Sequence, residues 1–186
     1  MTGFLNLAVL IYFVGLTAGY IAQFVAAVFG VIRVRRDLEG SSPENVSLRG
    51  RATLPISIMV PAHNEEITVV ESVRALLNLR YPQHEVVVVN DGSKDETLNK
   101  LRTAFALEPV PLDIRHDLST KPIRAVYRSA INRRLLVIDK ENGGKADALN
   151  CAVNAARFPL VCAVDADTII IPDALLRLVR PFLSDL

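Results

Sequence analysis

Residues 1–32 form an apolar block without a single Lys, Arg, Asp or Glu, and Asn6 and Gln23 are its only strongly polar side chains. A helix needs about 20 apolar residues to cross a bilayer core, so the block predicts one transmembrane helix. A cleaved signal peptide has a basic start and a shorter apolar stretch. Here the basic residues follow the block, at Arg33, Arg35 and Arg36. The positive-inside rule then puts the N-terminus outside the plasma membrane and the rest of the chain in the cytoplasm. Residues 33–54 carry Gly, Ser and Pro without an apolar period and predict a juxtamembrane linker. Residues 55–186 form the third segment.

Past residue 55, short apolar runs alternate with helical periods. Near-continuous apolar runs at 56–60, 85–90, 135–140 and 160–166 predict strands covered on both faces. Helical patterns fall at 65–79, 95–107 and 145–157, and a last helix starts at Pro172. The alternation predicts an α/β fold, a mostly parallel sheet with flanking helices. In such sheets ligands bind beyond the carboxyl ends of the strands. Each run here ends in polar residues, "PAHNEE", "NDGSKDE", "DKENGGKAD" and "DADT", so four loops are expected to open onto one site. Residues 108–134 interrupt the alternation. Their prolines and basic run favour a solvated surface excursion, with one edge strand at 123–127.

Charge and composition remove several function classes. The formal net charge is +1, which leaves no bulk electrostatic case for nucleic acid. Cys151 and Cys162 have neither disulfide-framework nor zinc spacing and are expected as reduced core thiols. His63, His84 and His116 lack a partner at ligand spacing and are assigned no catalytic role. A P-loop is rejected, because Ala146 stands where that motif needs Ser or Thr after its Lys.

The loops hold the candidate chemistry. Asp165 and Asp167 flank Ala166. In an extended chain they project to the same side, as hard oxygen ligands for Mg²⁺ or Mn²⁺; a plain structural turn explains them as well. Asp91 ends its strand with a carboxylate to offer a ligand, while Asp95 or Ser93 caps the next helix. Gly143 and Gly144 let backbone approach an anion, and Lys145 either adds positive charge there or is solvated in the first helical turn.

In this order, "VPAHNEE", "VVVVNDGSKDET", "ENGGKADALN" and "VDADT" resemble the family 2 glycosyltransferases over residues 56–173. The apolar N-terminal block adds a likeness to membrane-embedded polysaccharide synthases of the cellulose, hyaluronan, chitin and poly-N-acetylglucosamine type. The resemblance implies a Rossmann-like GT-A sheet and inverting, metal-dependent transfer of a sugar from a UDP-sugar to a saccharide acceptor. It implies a donor site of Pro61, Ala62, Asn64, Glu65, Asp91, Lys145 and Asp165, flanked by Asp147. Asp167 and Asp165 would hold Mg²⁺ or Mn²⁺, with Asp167 the more direct contact. Asn90 departs from a second Asp common in the family.

The family's general base, its Gln-x-x-Arg-Trp motif and further membrane helices have no counterpart in these residues, which include no Trp. No catalytic base is assigned, and Asp173 is expected to cap the last helix. The chain is therefore expected to supply the donor-binding half of such an enzyme, inactive alone, with an incomplete sheet and an exposed apolar flank. The alternative is a membrane-anchored nucleotide-sugar-binding module without activity of its own. A nucleotidyltransferase is disfavoured, because "VPAHNEE" lacks a Gly-rich basic loop.

Overall fold

The computed structural model describes residues 2–39, 54–111 and 114–184. It divides into two compact units, Met1–Arg49 and Gly50–Leu186. The first contains helix α1, Thr2–Glu39. Within α1, Val9–Arg33 is long and apolar enough to cross a membrane, and none of that window is buried. Apolar side chains exposed all round suit a lipid surrounding better than one core-facing stripe. The helix runs to Glu39, past the end expected at residue 32, and residues 40–53 of the expected linker lie outside the described residues.

The second unit is a six-stranded sheet with helices on both faces. Its elements are β1 (Ile56–Ala62), α2 (Val69–Leu77), β2 (His84–Asp91), α3 (Thr97–Ala104), β3 (Leu107–Pro109) and β4 (Ile123–Ser129), followed by β5 (Leu135–Lys140), α4 (Lys145–Ala155), β6 (Leu160–Ala163), α5 (Ala174–Leu178) and α6 (Arg180–Ser184). The strand order is β3-β4-β5-β2-β1-β6. Strands β5, β2, β1 and β6 run parallel, while β4 pairs antiparallel with β5 and with β3. Every residue of β2 is buried, as a central parallel strand requires.

Three expectations need correction. The edge strand expected at 123–127 is present as β4, but it lies between β3 and β5 rather than at the sheet's edge. Its hydrogen bonds to two neighbours outweigh its arginines, whose long stems reach solvent. The strand expected at 160–166 stops at Ala163, and Thr168 N–H closes a turn on Asp165 O at 3.0 Å. Asp173 sits at the α5 N-cap position without a cap hydrogen bond, and its carboxylate faces Arg80 at 3.8 Å instead. Val161 of the edge strand β6 is exposed, as are Ile169, Ile171, Leu178 and Phe182 in the segment that follows it.

Strand alternation decides what each face carries. Val87 and Val89 of β2 pack with Leu136 and Ile138 of β5 against Ala148, Cys151 and Ala152 of α4. The register pairs Val87 with Leu136, Val89 with Ile138 and Asp91 with Lys140. The next residues along this α4-facing series are therefore a carboxylate and an ammonium. Lys140 is fully buried, 2.7 Å from Asp91 Oδ1, and also ion-paired with Asp147 in the first turn of α4. Burial alone would lower the Lys140 pKa, but Asp147 and Asp91 outweigh it and hold the group above the ordinary lysine value. Burial pushes Asp91 up, yet Lys140 and the Gly143 and Gly144 N–H groups bring it below the usual carboxylate range. On the opposite face, Asn90 Nδ2 donates to Asp139 Oδ1 at 2.7 Å. An Asp at position 90 would set two carboxylates against each other there.

Ile58→Ala, at a fully buried β1 position, is expected to destabilise the sheet unit by about 2–5 kcal/mol. Val161→Ala on the exposed edge should stay within about 0.5 kcal/mol. Urea unfolding followed by far-UV circular dichroism checks both. Lys140→Met strands the buried Asp91 and the half-buried Asp147 and is expected to cost about 3–5 kcal/mol by the same assay. Asp91, with its lowered pKa, contributes stability that is complete above its unfolded value and is lost as pH falls through the folded one. Asp91→Asn should therefore flatten the acid limb of a stability–pH profile.

Candidate functional site

The chain runs from β1 to β2 and on to β5, then returns to add β6 on the other side of β1. That reversal leaves a crevice beyond the carboxyl ends of the strands, where open α/β sheets bind ligands. A cavity of about 330 Å³ opens there, lined by Pro61, Ala62, His63 and Glu65 after β1 and by Asp91 of β2. Asn142, Gly144, Lys145 and Ala148 line it from the α4 side, and residues 165–167 from beyond β6. Its volume lies in the range of small-molecule sites.

The loop before α4 is shaped by Asp91. Gly143 N–H donates to Asp91 Oδ1 at 3.0 Å and Gly144 N–H to Asp91 Oδ2 at 2.7 Å. A side chain at Gly143 would press within 2.5 Å of the Asp147 carboxyl, and Gly144 has φ +87°, a conformation that favours glycine. This wrapping corrects the expectation of a free Asp91 carboxylate: the group is buried and accepts from Lys140 and two backbone amides. A low-dielectric strand end demands such partners.

A second set of bonds stitches the loops after β1 and β2 together. Asn64, in left-handed backbone with φ 56°, accepts Lys94 N–H on Oδ1 at 2.8 Å. Ser93 Oγ accepts Asn64 N–H, Thr97 Oγ1 accepts Glu65 N–H, and Asp95 accepts both Glu66 N–H and Thr97 N–H. Asp95 therefore serves the start of α3 and the first loop at once. His63 reaches the cavity and bonds Asp91 O through Nδ1 at 2.8 Å.

Of the residues expected to bind the donor, Pro61, Ala62, Glu65, Asp91, Lys145 and Asp165 line the cavity together with Asp167. Asn64 does not, because its side chain is engaged in the loop stitching. Sequence reasoning missed Lys140, His63 and Asn142. Lys140 had a signal in its place at the end of the apolar i, i+2 series of β5, opposite Asp91.

Lys145 and Asp165 are both exposed and lie 2.6 Å apart. Asp167 is exposed, with one long hydrogen bond from Thr168 Oγ1 at 3.5 Å. The two carboxylates share the cavity through a turn rather than through an extended strand. Their donor set fits a hard divalent cation with water and phosphate oxygens as further ligands. Among the described residues no group of three or more His, Cys, Asp or Glu surrounds such a point. Asp167, the less engaged of the pair, is the one whose carboxylate could take a cation without breaking an ion pair.

Residues 57–185 match the glycosyl transferase family 2 model. Over 128 residues the chain is 30% identical to poly-beta-1,6-N-acetyl-D-glucosamine synthase of Staphylococcus epidermidis, covering 68% of this chain and 25% of that protein. It thus spans about a quarter of the curated relatives it matches. A mannosyltransferase from Pyrobaculum calidifontis, solved with GDP-Man and Mn²⁺, superposes with TM-score 0.54 at 25% identity, over 70% of this chain and 32% of that one. Glucosyl-3-phosphoglycerate synthase from Mycobacterium tuberculosis shares the fold, with TM-score 0.50 at 18% identity over 78% of this chain and 45% of that one. The match covers more than two thirds of the sequence, and the chain belongs to glycosyl transferase family 2.

Proposed function

We propose that the cavity binds the nucleoside diphosphate of a UDP-sugar, and that this chain supplies the donor-binding part of an enzyme transferring that sugar to a saccharide acceptor with inversion. The observation that carries the reading is the convergence of Asp165, Asp167 and Lys145 on one cavity at the strands' carboxyl ends. The mannosyltransferase solved with GDP-Man and Mn²⁺ supports a nucleotide-sugar donor and a divalent ion. Pro61, Ala62, Glu65 and Asp91 bound the nucleoside side of the cavity. Asp91 does so chiefly as a positioning residue, by holding the 143–145 backbone through its two oxygens. Asn64 acts by fixing the first loop rather than by touching the donor.

Breaking the sugar–phosphate bond leaves a diphosphate with growing negative charge, which preorganised positive groups stabilise. Mg²⁺ or Mn²⁺ held by Asp167 and Asp165 would neutralise that charge as a Lewis acid. Lys145 brings an ammonium on a flexible stem to the same place and exchanges its contact with Asp165 for the diphosphate. Helix α1 is the membrane anchor in this reading, with its N-terminus outside and the sheet unit in the cytoplasm. The acceptor hydroxyl must lose its proton to a base, and none of the cavity's side chains is assigned that part.

Calorimetric titration of the chain with UDP tests the reading. Binding is expected with Mn²⁺, to vanish with excess chelator, and to be weaker for GDP. Outer-shell partners of a metal site already contribute about 10–100-fold to affinity, so Asp167→Asn should lower Mn²⁺-dependent UDP affinity by at least about tenfold. Lys145→Ala should weaken UDP on the order of tenfold, the scale of one charge-assisted hydrogen bond. Unchanged Mn²⁺-dependent affinity in Asp167→Asn would overturn the metal assignment.

A further inference from the structure

A second cavity, of about 180 Å³, opens at the opposite end of the sheet, beside the amino ends of β2 and β5. Five arginines line it: Arg115 from the connection between β3 and β4, Arg128 of β4, Arg133 and Arg134 before β5, and Arg157 after α4. Among the described residues that line it, Glu85 is the only carboxylate. Among the described lining residues, five guanidinium groups face one carboxylate, in a chain whose net charge is +1.

The single carboxylate cannot neutralise the rest. Glu85 is buried, and its oxygens accept Ser57 Oγ at 2.6 Å, Arg157 N–H at 2.8 Å and Arg157 Nε–H at 2.6 Å. It is saturated by Arg157. Arg134 donates to the Leu77 carbonyl at 2.7 Å and approaches His84, neither of which carries compensating charge. Arg115 caps the carboxyl end of α4 through the carbonyls of Val153, Asn154 and Ala156, with Asp117 3.9 Å away. These bonds fix the two guanidinium planes. The guanidinium groups of Arg128 and Arg133 have no hydrogen bond or ion pair among the described residues.

We propose that this cavity is an oxyanion site for a phosphoryl group, separate from the donor cavity and bound in the absence of metal. Guanidinium forks match phosphate oxygens in pairs. The arrangement joins prefixed cations, Arg115 and Arg134, to two unengaged ones, Arg128 and Arg133. The volume lies below the range of drug-sized ligands, which favours a phosphate monoester headgroup or free phosphate over a nucleotide. Ile114 and Leu136 also line the space and would meet the ester's first carbons.

The test uses the full chain in neutral detergent micelles with chelator present, at constant ionic strength, and follows amide resonances as inorganic phosphate is added. Saturable shifts confined to residues 133–136 and 154–157 are expected. They should be lost in the double variant Arg128→Ala/Arg133→Ala and kept in Lys145→Ala. Saturation by free phosphate supports a soluble ligand. The same shifts appearing only when phosphatidic acid is doped into the micelles support a headgroup. Shifts that centre on residues 142–145, or that vanish in Lys145→Ala, would overturn the proposal, as would the absence of any saturable shift with either probe. Failure here leaves UDP binding at the other end of the sheet untouched, so the two readings fall separately.

Discussion

A lysine ammonium with no exposure to solvent ties the sheet to the site. Lys140 stands where β5 leaves the sheet, and its two carboxylate partners belong to β2 and to the first turn of α4. Removing Lys140 leaves both carboxylates without their ammonium, and removing either carboxylate leaves the buried ammonium with one partner. The three elements are therefore held in one geometry, and the loop between β5 and α4 has little freedom. Asp91 extends the constraint outward by accepting Gly143 and Gly144 N–H. The position of Lys145 at the cavity follows from a charge cluster of which only Asp91 reaches the cavity wall.

The organisation explains why exposed and buried carboxylates coexist at one edge of the sheet. Asp91, Asp139 and Asp147 have protein cations or amide donors as partners. Asp165 and Asp167 are exposed, and only Asp165 has an ion-pair partner. The first group shapes the loops, and the second is left for what enters from solvent. The arginine cavity at the other end has the complementary chemistry, with five arginines and, among the described residues, one carboxylate that is already engaged.

Much of this was legible in the sequence. The parallel strands β1, β2 and β5 announce themselves as near-continuous apolar runs, since strands covered on both faces have no reason to alternate; β6 has the same apolar run but lies exposed at the edge. Strand β4 was legible as a strand, but its partial burial and its Arg124 and Arg128 suggested an edge; pairing with both β3 and β5, a tertiary fact, gives it its place. β3 is three residues long and ends in proline, below what a pattern can signal. At the site, loop membership was readable and engagement was not. Asp91 looked available because its partners are 49 to 53 residues away in sequence. Asp165 and Asp167 looked strand-borne because the apolar run continues past the last ladder bond. The Lys140 pairing was within reach, as both apolar series end in opposite charges at matched register.

The central claim is that the carboxyl-end cavity holds a metal-bound nucleoside diphosphate. Paramagnetic broadening by Mn²⁺ in amide spectra of the chain, recorded with UDP present, tests it most directly. The account predicts selective loss of signals from residues 143–145 and 165–168, with residues 133–136 at the opposite end of the sheet unaffected. Broadening spread evenly over exposed carboxylates, or centred away from Asp167, would contradict it.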